Sequence, residues 1–395
     1  MKITGVKTYK FSVATGQQER DPVTGEAIAS TEKGWLLLKL ETDAGLAGWG
    51  EGTAEWLIEP VEAQLHAWRE LLLGADPLRV TALTEDLTDR LPWKGGPVLG
   101  CAAAAVNIAL YDLAGKAWGV PVHTVLGGRR RDCVRVYSNG GSFASPEAAA
   151  ASAVTAQRHG YAGIKGNPLE TRATPLDPAA IEHSRACVAA IREAAGPELE
   201  ILLDTHGSPA PELSLAFARA VAPSRPLFLE EPVKTGSVAA LAEVSRRSPV
   251  PIATGEKLFA VAQFKELTDC RACAILQPDI TQCFGIHRML EIARLADAQQ
   301  MLMAPHNTSG PVGHAAVIHA DAAMSSLLIQ ETTAGYLSQF DRFAEHPFQV
   351  REGYMNVPEE PGLGVTVKEP DIAQLPYRPT RFRQYRHADG SWKGW

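Results

Sequence analysis

From Val134 to Glu331 the chain repeats one pattern, a short apolar run followed by a longer, alanine-rich stretch of helical character. The runs end near Tyr137, Lys165, Asp204, Glu230, Glu256, Asp279, His306 and Glu331. Short apolar runs alternating with helical stretches predict βα units. Eight of them predict an α/β fold, a (β/α)8 barrel of the TIM type, in which the C-terminal ends of the strands converge on the face that carries the active site. The last seven runs each end on a charged residue or a histidine, and packing gives no reason to place polar groups there.

The first 130 residues lack this rhythm. Trp35-Leu-Leu-Leu-Lys-Leu-Glu-Thr and Leu46-Ala-Gly-Trp-Gly-Glu51 flank Asp43-Ala-Gly45 and predict two strands about a tight turn. The chain itself opens as an alternating strand, Met1-Lys-Ile-Thr-Gly-Val-Lys. Helices are predicted over Val61 to Leu73 and over Cys101 to Trp118, the second apolar enough to be buried and stopping at Gly119 with Pro121 beyond. The division is therefore an N-terminal α+β capping domain over 1–130, the barrel over 131–360, and a segment over 361–395 returning to the first domain. The polar stretch Thr15 to Lys33 is too long for a hairpin turn and reads either as a disordered excursion or as an active-site lid.

Composition narrows the partners. The 395 residues are 45% hydrophobic and 21% charged, with a net charge of −7 and a pI near 5.9, which argues against nucleic acid. The N-terminus has no signal-peptide core and no run of about 20 apolar residues is evident, so no membrane association is expected. Six cysteines scattered through a long chain suit a reducing cytoplasm, and Cys270-Arg-Ala-Cys273, with no second such pair, reads as structural. Gly128-Arg-Arg-Arg131 reads as a solvated surface turn.

Asp204 closes Glu200-Ile-Leu-Leu, Glu230 closes Pro226-Leu-Phe-Leu, and Glu256 closes Pro251-Ile-Ala-Thr-Gly, one acid per strand at an even spacing of 26 residues. As helix caps or ion-pair partners they would not need to be in phase. Gathered on one barrel face they need a cation, and hard oxygen donors suit Mg²⁺. Asp279 and His306 end neighbouring runs, where a carboxylate can orient an imidazole and raise its basicity. In Asp204-Thr-His206 the histidine is placed as a general acid or as a supporting residue. Lys165 offers positive charge beside the metal site, and Glu331 offers a hydrogen bond to a substrate oxygen or a partner for a base.

These residues resemble the enolase superfamily and, within it, the mandelate racemase-like group, over nearly the whole chain. The resemblance implies one Mg²⁺ per subunit on Asp204, Glu230 and Glu256, a His306–Asp279 base, and Glu331 as the strand-eight glutamate. It also implies a small-molecule carboxylate substrate and a homo-oligomer. Racemases of the group carry Lys-x-Lys at strand two, whereas this chain has Lys165-Gly-Asn167, so one face of the substrate lacks a base. That segment together with Asp204-Thr-His206 is similar to sugar acid dehydratases of the galactonate type. The implied chemistry is removal of the α-proton by His306, stabilisation of an enediolate by the metal and Lys165, and protonation of the β-hydroxyl by His206, giving a 2-keto-3-deoxy acid. Asn167 and Trp56 are candidate substrate contacts. An epimerase or cycloisomerase, and a non-catalytic sugar-acid-binding relative, are the alternatives.

Overall fold

The computed structural model describes residues 1–14, 32–169 and 176–379. Most of the stretch from Thr15 to Lys33, the candidate lid, and the tail from 380 to 395 lie outside the described residues.

Strands β1 (Ile3–Ala14), β2 (Glu32–Thr42) and β3 (Ala47–Glu51) form an antiparallel sheet in that order, with Gly45 in left-handed geometry at the β2–β3 turn. Helices Ile58–Ala67, Val80–Asp89 and Pro97–Trp118 cover it. The last starts on Pro97 and stops where Gly119 adopts a left-handed φ of 68°. Its alanines let it lie almost on the sheet: a Cβ on Gly48 or Gly50 would stand 2.2 Å from the Ala109 carbonyl oxygen or 1.8 Å from that of Ala105. At 22 residues this helix is long and apolar enough to cross a membrane, which corrects the expectation that no such run exists. It is instead mostly buried within the protein, between the sheet and the barrel.

The barrel strands are β4 (Cys133–Asn139), β5 (Gly163–Gly166), β6 (Glu200–Asp204), β7 (Phe228–Glu230), β8 (Ile252–Thr254), β9 (Ile275–Leu276), β10 (Leu302–Met303) and β11 (Gln330–Thr333). Neighbours pair in parallel from β4 to β10, and β11 pairs with β4. The ring closes between β10 and β11 through a Met303–Leu327 bridge. Strand ends differ from expectation in detail: β4 runs on to Asn139, Glu331 lies inside β11, and Asp279 and His306 stand beyond β9 and β10 in a bridge of their own.

Alternation along each strand decides what faces inward. Tyr137, Leu202, Phe228, Ala253, Ile275, Ala304 and Ile329 pack together as an apolar layer. The neighbours between them, such as Val136, Leu203, Leu229 and Leu276, join the core between strands and helices. Two residues beyond the layer come Asn139, Asp204, Glu230, Gln277, His306 and Glu331. The apolar layer is thus a floor, and truncating one of its aromatic members to alanine would cost about 3–5 kcal/mol.

The capping domain docks on the strand ends. The buried Glu51 carboxylate, at the end of β3, accepts the backbone N–H groups of Gly310 (2.6 Å) and Gly313 (2.8 Å) at the start of helix Pro311–Ala323, where an anion meets the positive end of the helix dipole. Asn107 Oδ1 likewise accepts the Ile286 N–H, at 2.8 Å, at the start of helix Ile286–Ala298. Residues of the C-terminal segment run along β1 and β2: Ser12 N–H donates to Pro376 O, and Glu369 accepts from Lys39 at 2.6 Å. In Gly128-Arg-Arg-Arg131, Arg129 and Arg130 are exposed, but Arg131 is half-buried and donates to Met324 O at 2.7 Å, tying the turn to the barrel. All six cysteines are free, Cys270 exposed and Cys273 buried.

Candidate active site

Strand phase brings Asp204, Glu230 and Glu256 together with one carboxylate oxygen of each within 4.8 Å of the others. Asp204 and Glu230 sit side by side in the β6–β7 register. Gly255, at φ 145°, turns β8 so that Glu256, one residue later than the simple alternation, reaches the same point. Burial, then the neighbouring Asp204 carboxylate, push Glu230 well above the usual carboxylate range although Lys165 opposes them. Burial also disfavours the charge on Glu256, but His306, Lys257, His206 and Lys165 outweigh it and hold that carboxyl low. Three crowded hard oxygen donors with so little solvent fit a small divalent cation.

Lys165 is fully buried and stands 3.0 Å from both Glu230 oxygens, 3.0 Å from Glu331 Oε1 and 3.7 Å from Asp204 Oδ2. Burial would strip its proton, but these carboxylates prevail and raise it well above its ordinary value. It keeps its positive charge among these carboxylates. Glu331 is held from three directions: besides Lys165 it accepts Asn139 Nδ2 at 2.6 Å and the Asn307 N–H at 3.1 Å. Its oxygens are more fully committed to the protein than a free substrate contact would be.

His306 Nδ1 lies 2.7 Å from Asp279 Oδ2. The other Asp279 oxygen takes the Thr281 N–H and hydroxyl, both at 2.7 Å, so the carboxylate is locked and Nδ1–H has one place to point. This leaves Nε2 toward the acidic triad, 3.6 Å from Glu256 Oε2. Burial alone would lower the imidazole; Glu256, Glu331 and Asp279 outweigh it and raise it to about 10.

Residues 8–127 match the N-terminal domain of the mandelate racemase and muconate lactonizing enzyme family, and residues 147–372 match the enolase C-terminal domain-like family. The chain belongs to the enolase superfamily. It is 36% identical over 369 residues to a D-galactonate dehydratase from Ralstonia nicotianae, covering 91% of this chain and 96% of that one. Among solved structures, an enolase from Agrobacterium radiobacter with sodium and L-malate bound superposes with a TM-score of 0.87 at 26% identity, covering 99% of both chains. A 3,6-anhydro-D-galactonate cycloisomerase from Zobellia galactanivorans, 24% identical with a TM-score of 0.82 over 94% of this chain and 98% of that one, shares the fold.

His206 approaches this enolase-superfamily site from another sector of the ring. Its Nε2 is 3.1 Å from Asp204 Oδ2, and its Nδ1 is 3.2 Å from Asn167 Nδ2. Asn167 Oδ1 accepts the Leu169 N–H at 3.1 Å, so the amide offers its NH₂ to the ring. Asn167, expected at the substrate, thus stands against His206. Trp56, half-buried with a left-handed φ of 60°, follows Glu55, which pairs with Lys33 at 2.8 Å. Buried Lys33 lies over the Tyr336 ring, and the Thr281 hydroxyl that meets Asp279 is also 3.3 Å from Thr53 O, so this part of the capping domain faces the dyad.

Several residues here escaped sequence reasoning. Asn139 and Gln277 carried a usable signal, since each stands two positions beyond an inward apolar residue. The buried Gln277 amide and Tyr137 hydroxyl have no partner among the described residues. Lys257 and Asn307 had no such signal; they lie in loops whose course periodicity does not describe.

Proposed function

We propose that this protein is a hydro-lyase that removes water from a sugar acid, an aldonate resembling galactonate, to give a 2-keto-3-deoxy acid. One observation carries this reading: two imidazoles in different surroundings flank a single acidic triad, while strand two offers Asn167 where a second lysine base would stand. The named dehydratase relatives, and the 2-hydroxy acid bound by a structural neighbour, support it.

Asp204, Glu230 and Glu256 would hold Mg²⁺, which when bound acts as a Lewis acid toward the substrate carboxylate and makes the adjacent C–H acidic. His306 takes the α-proton on Nε2, and Asp279 stabilises the imidazolium that results. The Lys165 ammonium, which needs no reorganisation, balances the negative charge developing on the substrate oxygens. Asn139 and the Asn307 N–H keep Glu331 in place beside Lys165. His206 gives a proton from Nε2 to the departing β-hydroxyl, which leaves as water. To act in this way the ring must carry a proton on both nitrogens as the hydroxyl departs, which requires the Asn167 NH₂ to move off Nδ1.

The test is a panel of aldonic and uronic-derived acids assayed for 2-keto acid formation with Mg²⁺ present. Turnover of at least one aldonate to a 2-keto-3-deoxy product is expected. Epimerised or lactonised products, or thermal stabilisation without turnover, would overturn the reading.

A further inference from the structure

His206 and Glu231 both have left-handed backbones, with φ of 50° and 44°. For residues bearing a Cβ this costs about 1–2 kcal/mol each, and such strain persists only where the surroundings impose it. The restraints on His206 are specific. Its N–H donates to Asp204 Oδ1 at 2.8 Å, and its carbonyl accepts the Lys257 ammonium at 3.2 Å. The next residue, Gly207, donates its N–H to Glu231 O at 2.9 Å. Lys257 is also ion-paired with the buried Glu231 carboxylate and lies 3.5 Å from Glu256 Oε1. The loops after β6, β7 and β8 contribute His206, Glu231 and Lys257 respectively, so one ammonium ties three consecutive strand ends together.

We propose that Lys257 is a positioning residue for His206: it clamps the carbonyl, keeps the backbone left-handed, and so aims the ring at the mouth of the barrel, while Glu231 fixes Lys257. The inference rests on His206 being the acid that expels the hydroxyl. The Asp204 contact restrains one side of the His206 peptide and the Lys257 contact the other. Without Lys257 the peptide after His206 keeps only backbone bonds, Gly207 N–H to Glu231 O and, across the turn, Ser208 N–H to Thr205 O, both at 2.9 Å, and the His206 backbone relaxes toward ordinary geometry. A displacement of about 1 Å at a reacting group costs on the order of 100-fold in rate.

Lys257→Met and Lys257→Arg, with Lys257→Met/Glu231→Gln to avoid leaving a buried carboxylate unpaired, test this in the full-length, Mg²⁺-loaded protein. Crystal structures of Lys257→Met or of the double variant are expected to show the His206 carbonyl turned and its φ out of the left-handed region. In deuterated water, dehydration should fall about 10- to 100-fold while α-proton exchange stays within about threefold, and Lys257→Arg should recover most of the loss. Mn²⁺ affinity should be unchanged or tighter, because a cation beside Glu256 has gone. An unmoved His206, or exchange and dehydration falling in parallel, would overturn the proposal. If the wild type dehydrates no sugar acid, the functional reading fails on its own, and the crystal structures still decide whether Lys257 holds His206.

Discussion

His306 offers a quantitative test of the metal site. Its imidazole is raised to about 10 by Glu256, Glu331 and Asp279 against the opposing effect of burial. Because the folded value lies above the ordinary 6.5, protonated His306 stabilises the metal-free protein fully below about pH 6.5, and this contribution is lost as the pH rises through about 10. A divalent cation on Asp204, Glu230 and Glu256 would offset the carboxylate that raises it most. If His306 then returns to about 6.5, binding at pH 8 should release about one proton from this residue, and at pH 6 about a quarter of one. Titration calorimetry with Mn²⁺ or Mg²⁺ in buffers of different ionisation enthalpy measures the number directly. Glu230 and Glu231 are also raised and release protons of their own, so the decisive quantity is wild type minus His306→Asn. A difference near one proton at pH 8 is expected. Equal release by the two proteins would show that His306 does not sense the ion, and would refute the placement of metal and base in one electrostatic unit.

Glu230→Gln should remove the rise in Tm that Mg²⁺ gives the wild type, and with it turnover, yet leave the metal-free Tm equal or higher, since it deletes a buried charge that its surroundings disfavour; differential scanning calorimetry with and without Mg²⁺ checks both. Lys165→Met removes the buried ammonium that balances Glu230, Glu331 and Asp204, and should destabilise the metal-free protein by about 3–5 kcal/mol in urea titrations, with Mg²⁺ restoring part of the loss. His206→Asn, incubated with the true substrate in deuterated water, should incorporate deuterium at the α-carbon while forming little 2-keto-3-deoxy acid; full dehydratase activity would move the leaving-group acid elsewhere.

The sequence by itself determined the barrel and the three clustered acids that could hold a metal, because both follow from local periodicity. Strands buried on both faces read as apolar runs, and a residue that ends such a run is placed at the barrel mouth by the strand's own direction. The His306–Asp279 pair was legible for the same reason, as neighbouring strand ends must meet. Tertiary structure alone decided what depends on loop conformation and on distances between sectors of the ring. Nothing in Lys165-Gly-Asn167 indicates that the asparagine reaches His206, or that the lysine is shared between Glu230 and Glu331. The Lys257 clamp on His206 arises where three loops converge, and its left-handed backbones are tolerated only because packing and charge hold them. Strand periodicity specifies direction and phase to within a residue, whereas a hydrogen bond is specified to a few tenths of an ångström, and only the assembled fold constrains positions that closely.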